Sequence, residues 1–161
     1  MSEQNMEKVI RESLTGDAQR NALELAAFMD ANDISCIRIT DGYWEDKIYF
    51  VCIYNDQAVC NISFNEHEDN TWYVTGDDDN DNWHANVSLS ESENVWMYVA
   101  VCENTQRCYD GCIRSHKTIF GKEFDNVCPI VMKFTNPDTM AVACMKVVFE
   151  ARINYIRNTV V

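Results

Sequence analysis

The chain has 161 residues, 47% of them hydrophobic, enough to fill one core. Lys and Arg number 13 against 26 Asp and Glu, a formal net charge of −13, which disfavours nucleic-acid backbones and anionic membranes as direct partners. Five Gly, two Pro and 11% aromatic residues argue against a low-complexity or disordered chain.

The opening residues carry no basic segment followed by an apolar one, and the longest apolar run, Val95 to Cys102, is eight residues. A membrane helix needs ~20. The expected compartment is the cytoplasm, whose reducing conditions make the eight Cys thiols or metal ligands rather than a disulfide frame.

In chain order, Ser2 is placed to cap a first helix carrying Met6, Val9, Ile10 and Leu14, which Gly16 ends. A second helix is predicted over 17–31, with Leu25, Phe28 and Met29 at core-facing spacing and Asn32 as a left-handed stop. A strand meander follows. Residues 34–40 alternate, with Ile37 and Ile39 on one side. Residues 47–54 are nearly all apolar or aromatic and read as a central strand covered on both faces. Asn55, Asp56 and Gln57 make the turn, and Ala58, Cys60, Ile62 and Phe64 alternate inward on the return. Residues 71–75 give a fourth strand.

Ser90 and Glu93 form a capping box before Val95, so a helix is predicted over 91–102, with a strand as its competitor. Residues 103–129 read as an irregular Cys-bearing segment with a short strand near 118–120. A final strand is predicted over 130–134. Asn136, Pro137 and Asp138 then open a closing helix that turns Met145, Val148, Phe149, Ile153 and Ile156 to the core. The expected architecture is one α+β domain, a single antiparallel sheet of four to five strands packed against N- and C-terminal helices.

Glycines stand at 16, 42, 76, 111 and 121. Neither a phosphate-cradling loop nor a dinucleotide fingerprint can be built at those spacings. There is no Gly-x-Ser-x-Gly elbow, and His67-Glu68 lacks a second histidine for a metalloprotease helix. An enzyme is the weaker class.

From Ile48 to Gln106 the sequence holds eleven acids and no Lys or Arg. The charge is therefore local, and these carboxylates are expected to share one surface, densest at Asp77, Asp78, Asp79 and Asp81 with Trp83 as an aromatic anchor. Such a face would dock a basic protein surface, including one that normally holds nucleic acid. In charge, though in no motif, it resembles DNA-mimicking inhibitors of nucleases. The bland alternative is a solvated surface that keeps the protein soluble. Asp77-x-Asp79-x-Asp81 also opens like a calcium loop, but Asn82 stands where Gly should turn the chain and Ser88 where Glu should chelate.

Cys36, Cys52, Cys60 and Cys144 fall in apolar patterns and read as buried small hydrophobes. Cys102, Cys108, Cys112 and Cys128 fall in or beside the polar segment, where four soft ligands would let zinc add folding energy, with His116 as a substitute ligand. Unligated thiols are the competing reading, and a Cys112/His116 nucleophile pair a remote one. A third functional class is a small-molecule sensor or minor enzyme, with a pocket between sheet and helices lined by Tyr49, Tyr54, Trp72 and Trp96.

Cys108-x3-Cys112, the run from Thr118 to Cys128, and Phe134-x-Asn136-Pro137-Asp138 carry a resemblance to small uncharacterised bacterial domains of unknown function, from about Leu23 onward. The resemblance implies that Ile119 to Cys128 is a fixed loop and that zinc is conceivable, and it implies no activity.

Overall fold

A computed structural model describes residues 5–77, 115–119, 122–127 and 131–159. The predicted helix over 91–102 lies outside them.

Helix α1 (Met6–Ser13) is capped by Asn5, whose Oδ1 accepts the Lys8 N–H at 3.3 Å. The cap therefore sits three residues after Ser2, which is outside the described residues. Met6, Val9 and Ile10 face inward, and the exposed face carries the i,i+4 ion pair Glu7–Arg11 at 3.1 Å.

Helix α2 (Gly16–Ala31) buries Ala22, Leu25 and Met29. It ends in a Schellman turn: Ile34 N–H reaches the Met29 carbonyl at 2.9 Å and Asp33 N–H the Asp30 carbonyl at 3.3 Å. The left-handed residue is Asp33 (φ 57°), one position after the expected Asn32. Asn32 keeps φ −109° and donates its side-chain amide to the Phe28 carbonyl at 2.8 Å. An asparagine able to cap with its side chain had no need to enter the left-handed region.

Five antiparallel strands form the main sheet: β1 (Ser35–Arg38), β2 (Ile48–Tyr54), β3 (Gln57–Phe64), β4 (Trp72–Asp77) and β7 (Val131–Thr135), in the order β1-β2-β3-β4-β7. The β2–β3 hairpin turns on Asn55 and Asp56, both with positive φ (47° and 64°), as a two-residue turn matching strand twist requires. Strands β5 (Ser115–Ile119) and β6 (Lys122–Val127) form a separate two-stranded sheet. Most of the segment from Ile119 to Cys128, expected as a fixed loop, is thus one arm of a hairpin.

Along β2, Phe50, Cys52 and Tyr54 are buried while Tyr49, Val51 and Ile53 are only half-buried. The strand is covered fully on one face rather than on both. A bulge explains the return strand: Cys52 pairs with Cys60 but Ile53 with Ala58, leaving Val59 extra. Val59 is buried beside Cys60, and Ala58, expected to point inward, is half-buried.

Helix α3 (Thr139–Thr159) closes the structure. Its first turn is capped by Asp138, whose Oδ1 accepts the Ala141 N–H at 2.8 Å, so Pro137 lies before the cap and not in the helix. Asn136 instead takes φ 48° and clasps Trp72, donating N–H to its carbonyl (2.8 Å) and accepting its N–H on Oδ1 (3.3 Å). As expected, Met145, Val148, Phe149, Ile153 and Ile156 enter the core, joining Leu25, Met29, Phe50, Ile62, Phe64 and Trp72 in one buried cluster.

Polar contacts pin α3 along its length. Thr139 Oγ1 donates to Asn21 Oδ1 (3.3 Å), Arg152 Nε to the Ala58 carbonyl (3.0 Å) and Arg157 Nε to Tyr54 Oη (2.8 Å). Ala58 lies beyond the β3–β4 register, which begins at Cys60 opposite Gly76. Arg152, only 4% exposed, supplies the bond that a neighbouring strand would otherwise make. Arg152→Met keeps the packing but orphans that carbonyl, so it should lower unfolding free energy by about 1–3 kcal/mol in chemical denaturation. An unchanged midpoint would contradict this role.

Candidate functional site

The antiparallel topology decides where the acids go. The β1–β2 and β3–β4 connections leave the same end of the sheet, since Ile48 pairs with Phe64 and Phe64 with Trp72. Between them they carry Asp41, Glu45, Asp46, Glu66, Glu68 and Asp69, with Lys47 and His67 as the basic residues. All six carboxylates are exposed except Glu66, which is half-buried.

Tyr43 links the two loops by donating its hydroxyl to Glu66 Oε1 at 3.3 Å. It sits in a short 3₁₀ turn (Gly42–Trp44) entered through Gly42 at φ 61°. No atom lies within 4 Å of where a Cβ would stand at Gly42, so glycine serves the backbone angle rather than space. Trp44 stacks on Tyr49 at 3.8 Å and 6°, and Lys47 Nζ lies 4.1 Å from the Tyr43 ring centre. The result is an aromatic step, Tyr43 61% exposed, rimmed by carboxylates. Glu66 is held further by the Ser63 hydroxyl, which donates to Oε2 at 3.0 Å, and by His67 Nε2 at 3.4 Å from Oε1.

Serine, histidine and glutamate together suggest a hydrolytic triad, but the order is wrong. The Ser63 hydroxyl meets the carboxylate and not the imidazole, so the serine–imidazole–carboxylate order of such a triad is not formed. The contacts hold Glu66 in place between β3 and the Tyr43 turn.

Asp77 ends β4, six residues long, about 20 Å at 3.3 Å per residue. It therefore leaves the end of the sheet opposite to Glu66, Glu68 and Asp69, near the turn that holds Asp56. That separation exceeds the screening length of about 8 Å. Among the described residues the acids of the Lys-free stretch therefore fall at two ends of the sheet, Glu66, Glu68 and Asp69 at one and Asp56 and Asp77 at the other, rather than on one surface. Asp78, Asp79, Asp81 and Trp83 lie outside the described residues. Sequence reasoning missed Asp41, Glu45 and Asp46, which precede the Lys-free stretch; the missing signal was loop adjacency in a meander.

The aromatic pocket set is also divided. Tyr54 and Trp72 are buried under the helices, whereas Tyr49 faces the other side with Trp44. Trp96 lies outside the described residues, as do Cys102, Cys108, Cys112 and Cys128.

His116 is on β5 and half-exposed. Its Nδ1 is 2.6 Å from Asp125 Oδ1 and its Nε2 3.5 Å from Glu123 Oε1. The hydrogen bond to Asp125 raises its pKa above the ordinary 6.5. A carboxylate on Nδ1 is also how zinc-binding histidines are commonly oriented. Among the described residues no group of three or more His, Cys, Asp or Glu could hold a metal, and no helix is long and apolar enough to cross a membrane.

Compared with known proteins, the chain matches no family model, no curated protein and no solved structure.

In metal-free protein, NMR titration of His116 should give a midpoint above 6.5, and Asp125→Asn should lower it. Because the folded value is the higher one, the hairpin contact contributes stability below pH 6.5 and loses it as pH rises past the folded value. A midpoint unmoved by Asp125→Asn would contradict the assigned cause.

Proposed function

We propose that this protein is a non-catalytic binding module that docks a basic protein surface through carboxylates set around the exposed Tyr43 and half-buried Trp44. The observation that carries the reading is the junction of two acidic loops by the Tyr43–Glu66 hydrogen bond. It gathers six carboxylates at one end of the sheet and holds Tyr43 and Trp44 among them. Charge complementarity of that kind speeds encounter and selects partners, while an aromatic at the centre supplies contact area. Asp77, Asp78, Asp79, Asp81 and Trp83 would supply a second acidic contact to the same basic partner; of these, Asp77 ends β4 at the opposite end of the sheet. The cytoplasm fits this reading.

Replacing Asp41, Glu45, Asp46, Glu68 and Asp69 by their amides tests it. Affinity for a Lys/Arg-rich peptide at low salt should fall about tenfold or more, with the melting temperature unchanged or higher. Amide replacement of five other acids (Glu7, Glu24, Asp30, Asp33 and Glu150) should leave affinity within about twofold, since none of them lies on the two joined loops or beside the α1–α2 junction that bonds to Asn65 and Asn70. Equal losses from both sets would reduce the binding to net charge and contradict a site.

A second reading, structural zinc held by Cys102, Cys108, Cys112 and Cys128 with His116 as substitute ligand, is favoured by the Asp125 contact on Nδ1. Protein purified without an affinity tag should then carry about one equivalent of zinc. Less than about a tenth of an equivalent would eliminate it.

A further inference from the structure

Three cysteines stand in one row across three neighbouring strands. Cys36 on β1 pairs with Cys52 on β2, and Cys52 pairs with Cys60 on β3. All three side chains point to the helix-covered face, and all are in the thiol state. The Cys52 thiol donates to Cys36 Sγ at 3.0 Å.

The ladder geometry separates the two pairs. Ile39 N–H bonds to the Tyr49 carbonyl at 3.0 Å, which makes residues 39 and 49 a hydrogen-bonded pair and, counting along the register, 36 and 52 a non-hydrogen-bonded one. In such pairs the Cα atoms approach to about 4.5 Å, within the span that a disulfide bridges. Cys52 therefore directs its own N–H and C=O toward β3, so its pair with Cys60 is of the wider, hydrogen-bonded kind.

Access is also unequal. Cys36 is half-buried, while Cys52 and Cys60 are fully buried. Cys36 lines a groove of about 950 Å³ between β1 and the first two helices, together with Met6, Arg11, Met29, Asp33 and Ser35. A small solute in that groove meets Cys36 before either other thiol.

We propose that Cys36 and Cys52 are an oxidation site, a thiol pair that a hydroperoxide converts into a reversible cross-strand disulfide. The Cys36 thiolate sulfur attacks one peroxide oxygen. The O–O bond breaks, and Cys36 becomes a sulfenic acid as the other oxygen leaves as hydroxide or, with a proton, water. Cys52 sulfur then attacks Cys36 sulfur; the S–O bond breaks, the S–S bond forms, and the departing hydroxide takes the Cys52 proton. Two thiols give up two electrons and two protons, and one hydrogen peroxide becomes two waters. A thiol donor such as dithiothreitol reverses the bridge by exchange.

The contact with Cys36 lowers the Cys52 pKa, but the hydrogen bond to Cys60, burial and the Cys60 charge outweigh it and hold Cys52 well above the ordinary thiol value. Cys52 accordingly acts as the resolving thiol and not as the point of attack. The bridge would tie edge strand β1 to the interior of the sheet across a sequence separation of 16. This inference is independent of the acidic docking reading, which concerns the loops at one end of the sheet.

The test treats the reduced full-length protein with hydrogen peroxide, blocks remaining thiols, and maps bridges by non-reducing peptide mass spectrometry. A Cys36–Cys52 peptide that dithiothreitol releases is expected. The oxidised Cys60→Ala protein should form the same bridge, and oxidation should raise its melting temperature by roughly 5–10 °C. Cys36→Ser, at a half-buried position that tolerates a hydroxyl, should abolish both the bridge and the shift. Recovery of Cys36 and Cys52 as blocked thiols, oxidation of Cys36 to sulfinic acid without a bridge, or a Cys52–Cys60 bridge in the parent protein would each overturn the proposal.

Discussion

The structure depends on burying one face of a five-stranded sheet beneath helices. Phe50, Cys52, Ile62, Phe64, Trp72, Val74 and Phe134 form that face, and Leu25, Met29, Met145, Val148 and Phe149 cover it. Because side chains alternate across a strand, fixing that face fixes the other. Tyr49 and its stacking partner Trp44 are thereby placed on the opposite side. On the same side Tyr73 meets the His67 ring edge-on at 5.9 Å and lies 5.0 Å from Lys133 Nζ. A one-residue slip in register would exchange the two sets and bury polar groups such as Asn61.

The bulge at Val59 shows how closely the faces are matched. It adds a buried residue near the end of β3, and α3 answers by sending Arg152 to the Ala58 carbonyl. A buried guanidinium is costly unless it is bonded. Its bond here ties the irregular end of the sheet to the helix, while Arg157 and Tyr54 do the same one turn later.

Much of this was legible in the sequence. The apolar spacing of α1, α2 and α3 and the alternating meander gave the α+β architecture, because both signals come from burial periodicity within one element. Local chemistry that depends on a partner elsewhere was not legible. Asn136 looked like a cap, but it clasps Trp72, a residue 64 positions away. Residues 47–54 looked buried on both sides because aromatic side chains read as core, yet Tyr49 is covered by a loop tryptophan. The acidic stretch was legible as composition and not as shape. A strand separates its described members, and the six acids that do converge come from two separate loops, one of them outside the stretch. The row of Cys36, Cys52 and Cys60 likewise needed the strand register, since alone each is an unremarkable small apolar residue.

The central claim is that the two joined loops make one end of the sheet a distinct electrostatic and aromatic contact. Its most direct test is residue-resolved: backbone NMR of the full chain during titration with a Lys/Arg-rich peptide, at low and then high salt. The account predicts shifts concentrated at residues 41–47 and 66–69 that collapse as salt rises. Shifts spread evenly over every acidic residue, helices included, would contradict it.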